Sequence, residues 1–124
     1  MKDMNKIILV GRVGSEPVRR ETKNGTSVTN FSVATSRRLA TDEVDENGRP
    51  KEETQWHQIV AWGKQGDSCA SYLHKGASVL IEGSLKSRKY DSKDGSKKMS
   101  FEIHAESVNF LSQKKSEPTE ALAS

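Results

Sequence analysis

Apolar and polar residues alternate with a period of two over most of this chain, the pattern of half-buried strands. Asn5 to Val13 forms the first predicted strand. Its Ile7-Ile-Leu-Val10 run is apolar on both faces, as in a strand buried on both sides or covered by a partner subunit. Ile7 and Leu9 are accordingly candidates for a subunit contact. Pro17 interrupts the pattern, and a short ribbon leads to Asn24-Gly25, a pair that favours tight hairpins. Thr26 to Arg38 resumes alternation, with Val28, Asn30, Ser32 and Ala34 against Thr29, Phe31, Val33 and Thr35. A polar segment punctuated by Asn47-Gly-Arg-Pro50 follows and reads as an exposed loop. The third strand spans Glu53 to Lys64. Trp56, Gln58, Val60 and Trp62 share one of its faces, while His57, Ile59 and Ala61 share the other.

Gln65 to Lys75 is the one segment with helical character. Ala70, Leu73 and Tyr72 supply a narrow apolar stripe, and Gly76 stands where a C-terminal cap is expected. Ala77 to Tyr90 is a fourth strand, with Val79, Ile81 and Leu85 on one face and Glu82, Lys86, Arg88 and Tyr90 on the other. Asp91 to Ser96 turns the chain into a fifth, Lys98 to Leu111, whose Phe101, Ile103 and Ala105 are expected to face inward. Val108 and Phe110 have the opposite parity, which predicts a bulge near Glu106 and Ser107. Five strands with one helix between the third and fourth is the order of an all-β OB-fold, a five-stranded Greek-key barrel. Residues 1–111 form that domain, and residues 112–124 are a short polar tail expected to be disordered.

With 124 residues, the chain can bury one core without covalent staples. Its single cysteine, Cys69, cannot form an internal bridge, and on the helix it reads as a small packed side chain. No apolar stretch approaches the ~20 residues that span a bilayer, and Ile7 to Val10 is too short for a signal-peptide core. No membrane association is expected, and a cytoplasmic location is the default. The net charge of +3 conceals an uneven distribution. Residues 42–53 hold six acids and two bases, a net of −4, so the remainder stands at +7. Arg37 and Arg38 form one basic group; Lys86, Arg88, Lys89, Lys93, Lys97 and Lys98 form another. Grouped cations of this kind are a footprint for a polyanion.

Binding an unpaired strand needs π surfaces for the bases and cations for the phosphates. Trp56, Trp62 and Tyr90 supply candidate platforms, with Lys64, Lys86, Arg88 and Lys89 close to them in sequence. The alternative is that both tryptophans are core. At these residues the chain resembles the bacterial single-stranded DNA-binding proteins, over about residues 4–111. The resemblance is carried by Met4-Asn-Lys-Ile-Ile-Leu-Val-Gly11, Asn30-Phe-Ser-Val-Ala-Thr35, Thr54-Gln-Trp-His57, Trp62-Gly-Lys64, Tyr72-Leu-His-Lys-Gly76, Ile81-Glu-Gly83 and Arg88-Lys-Tyr90. It implies an OB-fold, a homo-oligomer (a tetramer before a dimer), and single-stranded DNA as partner without sequence preference, in replication, recombination and repair. It also implies stacking on Trp56, Trp62 and Tyr90. Phosphate contacts fall on Lys64, Lys75, Lys86, Arg88 and Lys89, with the basic pair Arg37 and Arg38 added from their clustering. His57 falls at a subunit contact.

The chain departs from the family pattern at three places. Leu39 stands where a further aromatic is usual, and Gln58 where arginine is frequent. The sequence ends Thr119-Glu-Ala-Leu-Ala-Ser124 in place of an acidic tip, so recruitment of replication and repair enzymes is not expected. These departures keep a rival open, an interaction module on the same fold that joins mixed oligomers. Catalysis is not expected: His57, His74, His104 and Cys69 lack metal-ligand spacing. Glu43-Val-Asp-Glu-Asn-Gly48 opens like a calcium loop, but its twelfth position is Thr54. Neither a metal nor a cofactor is predicted. The acidic segment is a candidate competitor of DNA for the basic face.

Overall fold

Alternation becomes a closed barrel in the computed structural model, which describes residues 2–112. The expected disordered tail lies, apart from Ser112, outside the described residues. The elements run β1 (Ile7–Val13), β2 (Val18–Glu21), β3 (Ser27–Arg38), β4 (Glu52–Trp62), α1 (Gly63–Tyr72), β5 (Ser78–Asp91) and β6 (Lys97–Phe110). Hydrogen-bonded neighbours follow the order β1-β5-β6-β4-β3-β2, and β1 pairs also with β3. The circuit of β1, β5, β6, β4 and β3 is therefore closed, with one helix between β4 and β5: the predicted five-stranded fold. The ribbon after Pro17 is a sixth, four-residue strand added outside the circuit on β3.

One face of each strand of the closed circuit builds the core, whereas β2 is exposed throughout. Val13, Phe31, Val33, Ile59, Ala61, Val79, Ile81 and Ile103 pack together with Cys69, Leu73 and Ala77. Fully burying an aliphatic side chain of this size contributes ~1.5–3 kcal/mol. Ile7 and Leu9 pack against that cluster. Their neighbours Ile8 and Val10 point outward and are 59% and 61% exposed. Of the apolar run, Ile7 and Leu9 therefore face the core, and the outward pair is Ile8 and Val10. Asn5 extends the β1 edge by its side chain, accepting from the Leu85 N–H at 3.0 Å and donating to the Leu85 carbonyl at 2.9 Å.

The helix differs from its sequence reading in its ends and its buried stripe. It begins at Gly63, directly after Trp62, and stops at Tyr72. Gly76 does not cap it; its N–H donates to the Val13 carbonyl at 2.7 Å and ties the following turn to β1. The helical residues turned inward are Gly66 and Cys69, while Ala70 is partly exposed and Tyr72 exposed. Close approach explains the change, because a methyl group at Gly66 would collide with the Ala61 carbonyl. A short helix that plugs a barrel end needs small residues more than large apolar ones.

The β5–β6 pair carries the expected bulge. Glu82 faces Ser107 and Gly83 faces Ala105, which leaves Glu106 as the extra residue. Before Ile103, β6 pairs only with β5 and the ribbon projects from the barrel, so parity no longer means burial there. Phe101, expected inside, is 56% exposed, and Leu85 is exposed with it. The acidic segment closes a second arm. The β3–β4 ladder runs to Arg38 opposite Glu52. Asp45 Oδ1 then accepts from the backbone N–H groups of Asn47 at 2.8 Å and Arg49 at 3.0 Å. The alternating oxygens that mimic a calcium loop are a side-chain-capped turn.

Candidate nucleic-acid interface

Register decides which residues of different strands share a surface. In the β3–β4 ladder Trp56 stands opposite Ala34, Gln58 opposite Ser32, Val60 opposite Asn30 and Trp62 opposite Val28. β2 continues this outer face, with Val18 opposite Asn30 and Arg20 opposite Val28. On the other side of β4, Val60 lies beside His104 of β6. From there the β5–β6 register adds Glu102 with Lys86, Ser100 with Arg88 and Lys98 with Tyr90. One continuous outer surface therefore holds both tryptophans, Tyr90, Lys86, Arg88 and Arg20.

The aromatics on it are open to solvent. Trp56 is 60% exposed, Trp62 44% and Tyr90 46%, so neither tryptophan is core. Small neighbours keep Trp56 uncovered. Its ring lies directly over Gly14, where an added methyl group would collide with it, and next to Ser32. Trp62 borders a concavity of about 290 Å³ with Arg20, Asn30, Val60, Arg88 and Glu102. Arg20 donates to Asn30 Oδ1 at 3.1 Å. The Trp62 indole N–H donates to His104 Nδ1 at 3.3 Å.

The cations divide into those on this face and those elsewhere. Lys86 and Arg88 are on it. Lys64 follows Trp62 in the first turn of α1 and is exposed. Lys75 lies in the turn tied to Val13, close in the chain fold to Gly14, and its N–H donates to Glu16. Lys89 has the opposite parity and pairs with Met99 on the reverse of the arm. Arg37 is held by Glu53 at 2.6 Å, which offsets its charge locally, and Arg38 lies at the end of the same ladder opposite Glu52. His57 faces away from the tryptophans and shares a 2.9 Å hydrogen bond with Thr35 Oγ1.

Sequence reasoning missed Arg20, Asn30 and His104. Arg19 and Arg20 are adjacent and chemically alike, yet the strand sends them to opposite sides. Arg19 donates to Asp67 Oδ1 of the helix at 2.7 Å. That hydrogen bond, with a further one from Ser27, holds the Asp67 carboxyl below its ordinary range and raises Arg19. Arg19 fastens the ribbon, which leaves Arg20 for the concavity. Only the pairing partner of the ribbon distinguishes them. Cys69 offers no competing chemistry, since burial pushes its thiol up to about 12.

Known proteins resemble the chain over most of its length. The chain matches the Single-strand binding protein family over residues 4–111. It is 45% identical over 116 residues to single-stranded DNA-binding protein 1 of Chlorobaculum tepidum, covering 93% of this chain and 69% of that one. It is 42% identical over 108 residues to the single-stranded DNA-binding protein of Neisseria meningitidis, covering 87% of this chain and 60% of that protein's length. Among solved structures, the Plasmodium falciparum SSB in complex with ssDNA superposes with a TM-score of 0.74 at 34% identity, over 90% of this chain and 97% of that one. With a barrel of the same topology and a family match over nearly all the described residues, the chain belongs to the single-strand binding protein family.

Proposed function

We propose that the protein binds single-stranded DNA without reading its sequence, stacking bases on Trp56, Trp62 and Tyr90 while Lys86, Arg88, Arg20 and Lys64 hold phosphates. The observation that carries this reading is the exposure of both tryptophans on one barrel face that also presents Arg20 and Arg88. Stacking accepts any base, because every base has a π face, and contributes ~1–3 kcal/mol per base. Phosphate contacts add affinity that falls with salt as counterions are released. Lys75 and Arg38 extend the charged surround, whereas Lys89, on the reverse of the arm, and Arg37, paired with Glu53, add only to the general positive field. The protein acts in the cytoplasm in replication, recombination and repair, and catalyses no reaction. It assembles as a homo-oligomer, a tetramer before a dimer, using the exposed Ile8 and Val10 face of β1 together with the His57 end of the barrel; Ile7 and Leu9 support that strand from within.

Quenching of tryptophan emission by oligothymidine, titrated at several salt concentrations with duplex DNA as control, tests the reading. Trp56→Ala is expected to weaken binding ~5- to 100-fold with an unchanged salt slope. Lys86→Ala is expected to reduce the slope by about one phosphate's worth. Full tryptophan emission in the presence of saturating single strand would remove the stacking role.

A further inference from the structure

The Trp62 ring is tethered by its edge. Its N–H donates to His104 Nδ1 at 3.3 Å, with the two ring centroids 6.2 Å apart and the planes tilted by 39°. The other imidazole nitrogen, Nε2, is 3.0 Å from Glu102 Oε1. The ends of this chain fix its direction, since an indole N–H only donates and an ionised carboxylate only accepts. Nδ1 must then be the bare acceptor and Nε2 must carry the proton, which it donates to Glu102. One neutral tautomer satisfies every atom in the series.

Two side chains here are otherwise unexplained by phosphate binding. Glu102 lines the concavity, where a carboxylate repels a polyanion. His104 is partly buried in mid-strand, a place that an apolar β-former would fill as well. Their series of hydrogen bonds gives both a purpose. An exposed tryptophan left free must be ordered when a base stacks on it, and ordering such a side chain costs roughly two- to tenfold in affinity. Held through its N–H from the β6 side, the indole keeps its face open to the space bordered by Arg20 and Arg88.

We propose that His104 is a positioning residue for base stacking: with its tautomer set by Glu102, it fixes the Trp62 indole in the orientation that receives a base. The inference rests on the stacking role of Trp62 proposed above.

The test uses the full chain, labelled with 15N, with two substitutions at His104 and one at Trp62. His104→Val removes the acceptor and keeps a strand-forming residue. His104→Asn retains an oxygen acceptor near the place of Nδ1. In His104→Val the Trp62 indole proton is expected to shift and exchange faster with solvent, while that of Trp56 stays unchanged. Affinity for oligothymidine is expected to fall roughly two- to tenfold with an unchanged salt slope. His104→Asn is expected to restore both the indole signal and the affinity. An unchanged Trp62 signal or unchanged affinity in His104→Val would overturn the proposal, as would a His104→Asn variant as defective as His104→Val. Trp62→Ala separates the two levels of inference. If it leaves affinity intact, the stacking role fails and the positioning role with it; if it weakens binding while His104→Val does not, only the positioning role fails.

Discussion

Trp56 and Trp62 are exposed for different reasons, and each reason is a small set of neighbours. Trp62 is tethered at its edge by His104, whereas Trp56 rests on the backbone of Gly14 with Ser32 at its side. A Gly14→Ala substitution puts a methyl group where the Trp56 ring lies, so the ring must move. Affinity for single strands is expected to fall about tenfold, inside the ~1–3 kcal/mol range of one stacked base, with thermal stability little changed. Parallel melting curves and fluorescence titrations check this. Period-two parity placed both tryptophans on one face from sequence alone. It left open whether that face looked into the core or out, because Val60 between them is buried while Gln58 is not. Gly14 decides the matter for Trp56, and it lies 42 positions away in the chain, beyond the reach of any local pattern.

Elements were legible where alternation was strong and a turn signal stood at each end. Asn24-Gly25 is such a case: Gly25 takes the left-handed backbone with φ 83° and its N–H closes on the Thr22 carbonyl. The bulge at Glu106 was legible as a parity switch. The helix was less so. Cys69 was legible as a small packed side chain and Leu73, just past the helix end, as apolar. The inward Gly66, however, carries no hydrophobic signal, and Ala70 and Tyr72 do not turn inward. The β5–β6 arm misled in the opposite direction, because Phe101 keeps strand parity after the barrel beneath it has ended. Its tip is held by polar atoms instead. Asp94 accepts from the Ser92 and Ser96 hydroxyls and from the Ser96 N–H, and these bonds pull its carboxyl down to about 2. A carboxyl depressed in the folded state supports structure above its unfolded value of ~3.9 and loses that support as pH falls toward 2. Amide exchange at Gly95 and Ser96 is expected to show the tip loosening through that window. Asp94→Asn should be loose already at neutral pH and show no transition.

At the scale of the molecule, two surfaces stand on different sides of one barrel. The β3–β4–β6 side presents aromatics and cations, while the outer face of β1 presents Ile8 and Val10. Exposed adjacent aliphatics on a regular strand invite a second copy of the same surface. Ile8→Lys combined with Val10→Lys is expected to reduce the proposed oligomer to a smaller species in sedimentation, leaving the fold intact by circular dichroism, since neither side chain is in the core. An unchanged sedimentation coefficient would move the assembly contact elsewhere. The sequence showed that this strand was apolar on two sides, but the side that faces out follows from the pairing of β1 with both β3 and β5, which only the closed barrel reveals.

The spacing of the two tryptophans along β4 has a consequence for ligand length. Trp62 lies six positions along one strand from Trp56, a distance of ~20 Å at the usual rise per residue. Under the stacking proposed for Trp56 and Trp62, a single nucleotide touches one ring and leaves the other empty. A strand long enough to reach both makes its second attachment from a tethered position, at an effective concentration of the order of millimolar for a short flexible link. Affinity then rises steeply once the oligonucleotide spans the gap and only gradually beyond it. With both rings stacking bases as proposed, the barrel would gauge the length of an unpaired stretch, passing over short gaps and mononucleotides whatever bases they contain.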